Sequence, residues 1–232
     1  MRSSLRQVLT LALIALALAA GVFLLRLEAL DSTLAAHGSA AAEQAAQAAL
    51  SADLDSPPPG FSFAVGDVVE AFRQGDLDRA RELLEARAAG DPQAASDAEL
   101  LIGLYAYASD RPDLAASRLA AAEGSATPLE DWRLFALADL VREQGDYHQA
   151  RELFTRLTRE HGESPLVHKA ALEAARIAWE DEGESLEAIR ILRSSRGSGA
   201  AAEAIDELAW TIARDSGDGH AEREAARLLL IH

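Results

Sequence analysis

The chain of 232 residues contains no cysteine and few aromatic residues. The absence of cysteine excludes disulfide bonds, thiolate metal sites and lipidated cysteines. Aromatic residues make up only 5% of the chain although hydrophobic residues make up 49%, so alanine and leucine must supply most of any core. Because alanine, leucine, glutamate and arginine all favour helices, the composition predicts an all-α protein.

The chain also lacks the positive charge that nucleic-acid binding requires. It has 22 lysines and arginines against 38 acidic residues, so its formal net charge at pH 7 is −16. Phosphate backbones are bound by clustered lysine and arginine, and we therefore expect no nucleic acid among the partners. Acidic and basic residues alternate along the helical stretches, which is typical of solvated helix faces.

No sequence motif indicates catalysis or a cofactor. The chain has no nucleophile-elbow motif, no phosphate-binding glycine loop and no dinucleotide fingerprint. Its six histidines form no metal-binding pair of the His-x-x-x-His type. The acidic residues between 180 and 184 lack the alternating oxygen ligands of a calcium loop and are interpreted as a solvated turn. We predict that this chain is not an enzyme and holds no metal and no cofactor.

The N-terminal residues 1–26 contain the longest apolar stretch. Arg2 and Arg6 precede residues 8–25, which are almost entirely apolar. At about 1.5 Å per helical residue this run is roughly 27 Å long, close to the thickness of a bilayer core. We predict that it anchors the chain in the cytoplasmic membrane, with a cleaved signal peptide as the alternative. Because the arginines hold the amino terminus in the cytoplasm, both alternatives predict a periplasmic or extracytoplasmic location for the rest.

Residues 27–62 differ from the segments on either side. They are rich in alanine and contain the sequence Ser-Pro-Pro-Pro-Gly at 56–60. Proline interrupts helices and favours extended, stiff spacers. We predict a stalk here, between the membrane segment and a folded region at 63–232.

The folded region repeats one short pattern, in which a small alanine is followed one helical turn later by a large residue. The segment Gln144–Phe154, with a Gly-Asp turn that opens a helix, is closely matched by Gln74–Leu84. Successive alanines of the pattern are 35, 35, 38 and 37 residues apart, which is the period of stacked helical hairpins. We predict about five hairpins in a right-handed superhelix whose helices touch at these small–large pairs. The five pairs are Ala80 and Leu84, Ala115 and Leu119, Ala150 and Phe154, Ala188 and Leu192, and Ala225 and Leu229.

The repeat resembles that of the tetratricopeptide family. The matching positions are Pro92, Ile102, Gly103, Leu119 and Ala122 in the earlier units, and Leu134, Leu137, Ala138 and Phe154 in the third. The spacings of 37 and 38 exceed the usual period of about 34, and several signature aromatic residues are missing. The resemblance implies a helical solenoid that serves as a protein-interaction scaffold.

A narrower resemblance concerns the segments Thr127–Trp132 and Gly162–Leu166. They look like parts of the helical superhelix that precedes the catalytic domain of soluble lytic murein transglycosylases. That resemblance implies a catalytic domain beyond residue 232. The dipeptides Glu163-Ser164 and Glu184-Ser185 lie between helices, where capping explains the serines better than catalysis does.

Two functional hypotheses follow. The first is a non-catalytic, exported scaffold for cell-envelope assembly or maintenance that binds a protein partner or peptidoglycan. The alternative is the superhelical portion of a lytic transglycosylase. Trp132, Trp179 and Trp210 are candidate partner-binding residues, although their helical spacing also suits a core. The apolar stretch at 228–231 predicts an end that a partner or a downstream domain covers.

Overall fold

The computed structural model describes residues 65–229, apart from Gly75, Gly90 and the segments 123–128 and 196–199. This part of the chain contains ten α-helices and no strand, which confirms the all-α prediction. The helices are α1 (Gly66–Arg73), α2 (Leu77–Ala88), α3 (Pro92–Ala108), α4 (Pro112–Ala121), α5 (Glu130–Glu143), α6 (Tyr147–Glu160), α7 (Val167–Arg176), α8 (Ser185–Ser194), α9 (Ala200–Ser216) and α10 (Gly219–Leu229). A π-helical turn at Ile177–Asp181 extends α7.

The helices follow one another in five hairpins, α1/α2 to α9/α10. The chain divides into two compact units, and the boundary falls within α5, between Arg133 and Leu134. In the first unit, α1 packs against α2, α2 against α3, and α3 against α4. In the second unit, α6 to α10 also pack in sequence, and α7 contacts α9 while α8 contacts α10. Contacts between alternate helices are what stacked hairpins produce.

The turn inside the hairpins has a recurring backbone geometry. The residue that precedes the N-cap is in the left-handed region at Asp110 (φ 58°), Gly145 (φ 85°), Gly183 (φ 72°) and Gly217 (φ 62°). Glycine tolerates this conformation without steric cost, and aspartate tolerates it better than most residues do. The glycine of the Gly-Asp pair at Gly145 therefore serves the backbone conformation of the turn.

The second helix of each of the first four hairpins begins in the same register. Its alanine of the small–large pair donates its backbone N–H to the carbonyl of the N-cap residue four positions earlier. Two of the N-caps, Asp76 and Asp146, also accept a backbone N–H with their side chains. Each such cap contributes roughly 1 kcal/mol to helix stability. The four backbone bonds run from Ala80 to Asp76, from Ala115 to Arg111, from Ala150 to Asp146 and from Ala188 to Glu184.

The small–large pairs form the centre of the core in these four hairpins. Both members of each pair are completely buried, as their shared place on the inner face of the second helix requires. Their close packing explains why the pattern recurs while the exposed residues around it vary. The buried pairs are Ala80 with Leu84, Ala115 with Leu119, Ala150 with Phe154, and Ala188 with Leu192.

The fifth hairpin departs from this register. The position four residues after its N-cap Asp218 is the exposed Glu222, whereas the other hairpins have a buried alanine there. The buried Ala225 lies three residues, or about one turn, further along α10. The side chain of Leu229 lies outside the described residues.

The first unit combines a close helix approach with a largely buried ion pair. A Cβ atom at Gly103 in α3 would lie 2.7 Å from Leu119 Cδ2 in α4, so only glycine fits there. Arg133 is 1% exposed, and its guanidinium binds the Glu130 carboxylate at 2.7 Å and the Leu119 carbonyl at 3.0 Å. A buried charge is tolerated when it is paired and hydrogen-bonded in this way.

No helix among the described residues is long and apolar enough to cross a membrane. The predicted membrane segment at 8–25 and the predicted stalk at 27–62 lie outside those residues, and both stay predictions.

Candidate functional site

The second unit contains an open groove with a volume of about 1020 Å³. One wall is the exposed face of α6, from His148 to Arg159. The other wall is formed by residues 183–187, 190 and 191, which include the first turns of α8, together with Ser216 and Asp218 at the turn between α9 and α10. Second helices of successive hairpins and an inter-helix turn therefore form the groove.

The groove carries both signs of charge in equal number. Its formal charge is zero when His148 is neutral, whereas the whole chain carries −16. The groove is therefore much less repulsive towards an anionic group than the rest of the surface. Four arginines and four carboxylates line it: Arg151, Arg156, Arg159, Arg190, Glu152, Glu184, Glu187 and Asp218.

Arg151 is the most firmly held of the groove arginines. Its Nε lies 2.8 Å from a Glu182 oxygen and its Nη1 lies 2.7 Å from a Glu184 oxygen. Its side chain is 19% exposed, so the charges are partly desolvated and interact more strongly than a surface pair. The π-helical turn positions these carboxylates, because Glu182 and Glu184 donate their backbone N–H groups back to Ile177 and Ala178. Such turns are frequent at functional sites.

The other groove arginines are more exposed. Arg156 and Arg159 each bind the Glu160 carboxylate at 2.9 Å, and the Arg159 bond is the main cause of the lowered pKa of Glu160. Arg190 is bound to Glu187 at 3.3 Å. The side chain of Arg159 is 71% exposed and that of Arg190 is 57% exposed. Each guanidinium has five donors, so both can also bind an acceptor on a ligand.

Along both helices, carboxylates precede most of the groove arginines, although Arg151 lies directly before Glu152 on α6. Glu184 is the N-cap of α8 and Glu187 lies in its first turn, whereas Arg190 comes one turn later. On α6, Glu152 likewise precedes Arg156 and Arg159. Negative charge is favourable near a helix N-terminus, which explains the position of Glu187. This arrangement gives the groove a charge pattern that a ligand with complementary charges can recognise.

The helices of the groove carry small–large pairs on their other faces. On α8, Ala188 lies between the groove residues Glu187 and Arg190, and Leu192 follows them. Both Ala188 and Leu192 are completely buried, and neither lines the groove. Ala150 and Phe154 on α6 are likewise buried and absent from the lining. The pairs predicted as packing sites thus hold the two walls in place, and the ligand-accessible residues are others.

The structure places the three candidate tryptophans in different surroundings. Trp210 on α9 is 52% exposed. Trp132 on α5 and Trp179 in the π-helical turn are partly buried. None of the three lines the groove. Trp210 is the one with enough exposed surface to contact a partner directly.

The groove arginines were missed by the sequence reasoning. Charged residues recur at helical spacing along α6, at Arg151, Glu152, Arg156 and Arg159. The same pattern is typical of a solvated helix face, so it does not distinguish such a face from a binding site. Only the position of α8 beside α6 turns that face into a wall. The described part of the chain contains no cluster of three or more histidines and acidic residues that could hold a metal ion.

Neither a scan against protein-family models nor a search of curated proteins finds a match to the chain.

Proposed function

We propose that the protein is a non-catalytic, tetratricopeptide-like interaction scaffold that binds a charged peptide segment of a partner protein in the groove beside α6. The observation that carries the proposal is this open groove, in which carboxylates precede Arg156, Arg159 and Arg190 along the two helices. The recurring hairpin turn, the shared hydrogen-bond register and the contact of Gly103 with Leu119 support the tetratricopeptide-like architecture. Export to the cell envelope is part of the proposal and rests on residues 1–26.

The charge pattern favours a peptide that carries both signs of charge. Its basic part would lie near Glu152, Glu184 and Glu187, and its acidic part near the later arginines. A guanidinium can bind a carboxylate with two parallel hydrogen bonds, which gives orientation as well as affinity. Complementary charges contribute specificity and association rate in particular.

The experiment compares the full chain with two variants in a binding assay on short synthetic peptides. The peptides have the same composition and carry their acidic residues in either the first or the second half. We expect the protein to prefer one order, and Arg156→Glu/Arg159→Glu to weaken binding and abolish the preference.

The matched control is Arg214→Glu, which reverses an arginine of 64% side-chain exposure on α9 outside the groove. It should bind as the parent does. Equal binding of both peptides by the parent, or equal loss in both variants, would contradict the proposed site.

The second functional hypothesis, the superhelical portion of a lytic transglycosylase, stays a prediction. The residues that would carry that catalysis would lie beyond residue 232, and the groove needs no catalytic group for its proposed role.

A further inference from the structure

Arg151 has two carboxylate partners, and only one of them lies in the groove. Glu184 lines the groove and its side chain is 49% exposed, whereas Glu182 does not line it and is 17% exposed. The Glu184 oxygen lies 2.7 Å from Nη1 of Arg151, and the Glu182 oxygen lies 2.8 Å from Nε. A ligand in the groove can therefore reach Glu184 but not Glu182.

The two contacts also differ in hydrogen bonding. Nη1 of Arg151 donates a hydrogen bond to Glu184. The contact with Glu182 is an ion pair without hydrogen-bond geometry, since Oε2 of Glu182 is buried and accepts no hydrogen bond from any residue that the structure describes. Because a guanidinium has five donors and this carboxylate oxygen has unused capacity as an acceptor, Arg151 can bind Glu182 more strongly after a small rotation of its side chain.

A ligand that binds Glu184 must compete with Arg151. The basic part of the proposed peptide lies near Glu184, whose carboxylate already accepts a hydrogen bond from Arg151. Arg151 is 19% exposed, so the loss of all its partners would leave a poorly solvated and unpaired charge. Such a charge is strongly unfavourable. Glu182 prevents this loss, because the ligand cannot reach it.

Resting on the proposed function, we propose that Glu182 is a positioning residue that holds Arg151 when a basic side chain of the ligand binds Glu184. Glu182 acts through Arg151 and does not contact the ligand itself. It follows directly after the π-helical turn and donates its backbone N–H to the Ile177 carbonyl at 3.1 Å. The π-helical turn thus supplies a second carboxylate behind the groove, and Arg151 stays paired in the free and in the bound protein.

The experiment measures the affinity of the full chain for two short synthetic peptides. The first peptide has glutamates in one half and lysines in the other, and in the second peptide glutamines replace the lysines. Glu182→Gln removes the charge but keeps the size of the side chain. We expect this variant to bind the first peptide severalfold more weakly than the parent does, and the second peptide as the parent does. A general loss of stability would not distinguish the two peptides.

The matched control is Glu180→Gln, which removes an exposed carboxylate from the π-helical turn outside the groove. It should bind both peptides as the parent does. If the parent shows no preference between the two charge orders, the proposed function fails and this role fails with it. If the parent has that preference but Glu182→Gln weakens neither peptide, or both equally, Glu182 has no positioning role and the groove remains the binding site.

A measurement without peptide tests the contact between Glu182 and Arg151 directly. In protein labelled with nitrogen-15 arginine, NMR follows the exchange of the Arg151 Nε proton with water, and Arg151→Lys identifies the signal by its loss. Glu184→Gln reproduces the removal of the Glu184 charge by a ligand. We expect slow exchange to persist in Glu184→Gln and to become severalfold faster in Glu182→Gln. Fast exchange in Glu184→Gln would show that Glu182 does not hold Arg151 by itself, and would overturn the proposal.

Discussion

In the second hairpin, Leu119 of α4 lies so close to Gly103 of α3 that a Cβ on the glycine would be 2.7 Å from Leu119 Cδ2. In the third hairpin the large residue at the same place in the repeat is Phe154, and its ring packs edge-on against Phe135 of α5. Leu119 and Phe154 are both completely buried, four residues after a buried alanine. One repeat position is thus filled in two ways, by close approach of a helix backbone and by an aromatic pair.

The difference has consequences beyond packing. In the second hairpin, the Leu119 carbonyl accepts a hydrogen bond of 3.0 Å from the Arg133 guanidinium. The aromatic pair in the third hairpin provides the ring against which Lys169 packs. Leucine and phenylalanine at one repeat position are therefore found in different chemical surroundings while the hairpin turn stays the same. Substitutions at three positions test this difference, and we expect their effects on stability to decrease in the order given.

Removal of the aromatic ring should have the largest effect. Phe154→Ala deletes a fully buried side chain and its edge-on partner contact, and leaves a cavity in the third hairpin. We expect a loss of about 3–5 kcal/mol in the free energy of unfolding, measured by denaturant titration. His148→Ala on the same helix is the control, because its side chain is 69% exposed and its loss should change little. Similar midpoints for both variants would show that Phe154 is not a core residue.

Addition of a single methyl group should disturb the second hairpin. In Gly103→Ala the new Cβ would meet Leu119 Cγ at 2.8 Å and the Leu119 backbone nitrogen at 3.0 Å, so the helices must move apart. We expect a net loss of about 1–3 kcal/mol, even though alanine favours a helix by about 1 kcal/mol over glycine. Gly162→Ala, with no atom within 4 Å of its new Cβ, is the matched control for thermal unfolding. A stabilised Gly103→Ala variant would rule out the close approach.

Substitution of the glycine in the shared hairpin turn should change stability through the backbone conformation alone. Gly145 has φ 85° and open space around its Cα, so Gly145→Ala meets no clash and should cost about 1–2 kcal/mol for its left-handed conformation. Gly145→Asp should cost less, because aspartate occupies the same place in the second hairpin at Asp110. Thermal unfolding of both variants measures the difference. A larger loss for the aspartate variant would show that the two turns are not equivalent.

Much of the hairpin architecture could be predicted from local sequence signals. Proline at the first position of α3 and the Gly-Asp turn before α6 act within a few residues, so their effect does not depend on distant contacts. The regular spacing selects Ala225 in the fifth hairpin, where Ala221 is completely buried as well. An alanine-rich helix offers several small residues at helical spacing, and only packing selects among them.

The candidate site was harder to predict from the sequence than the hairpin architecture. Trp132, Trp179 and Trp210 all suit a core or a binding surface by spacing alone, and their exposure depends on what packs beside each helix. In the sequence, Arg151 does not differ from the other arginines on solvated helix faces. Only the structure shows that the π-helical turn places Glu182 and Glu184 beside it.

By itself, the sequence determined the helical class, the positions of the turns and the small–large pairs of the first four hairpins, because these depend on backbone preferences and on contacts within one hairpin. The tertiary structure decided where the chain divides into two units, which helix faces form the groove, and which of the two carboxylates beside Arg151 lines it. Those features depend on contacts between residues that are distant in sequence. The interactions in these features depend on desolvation and charge pairing, which arise only when the helices pack together.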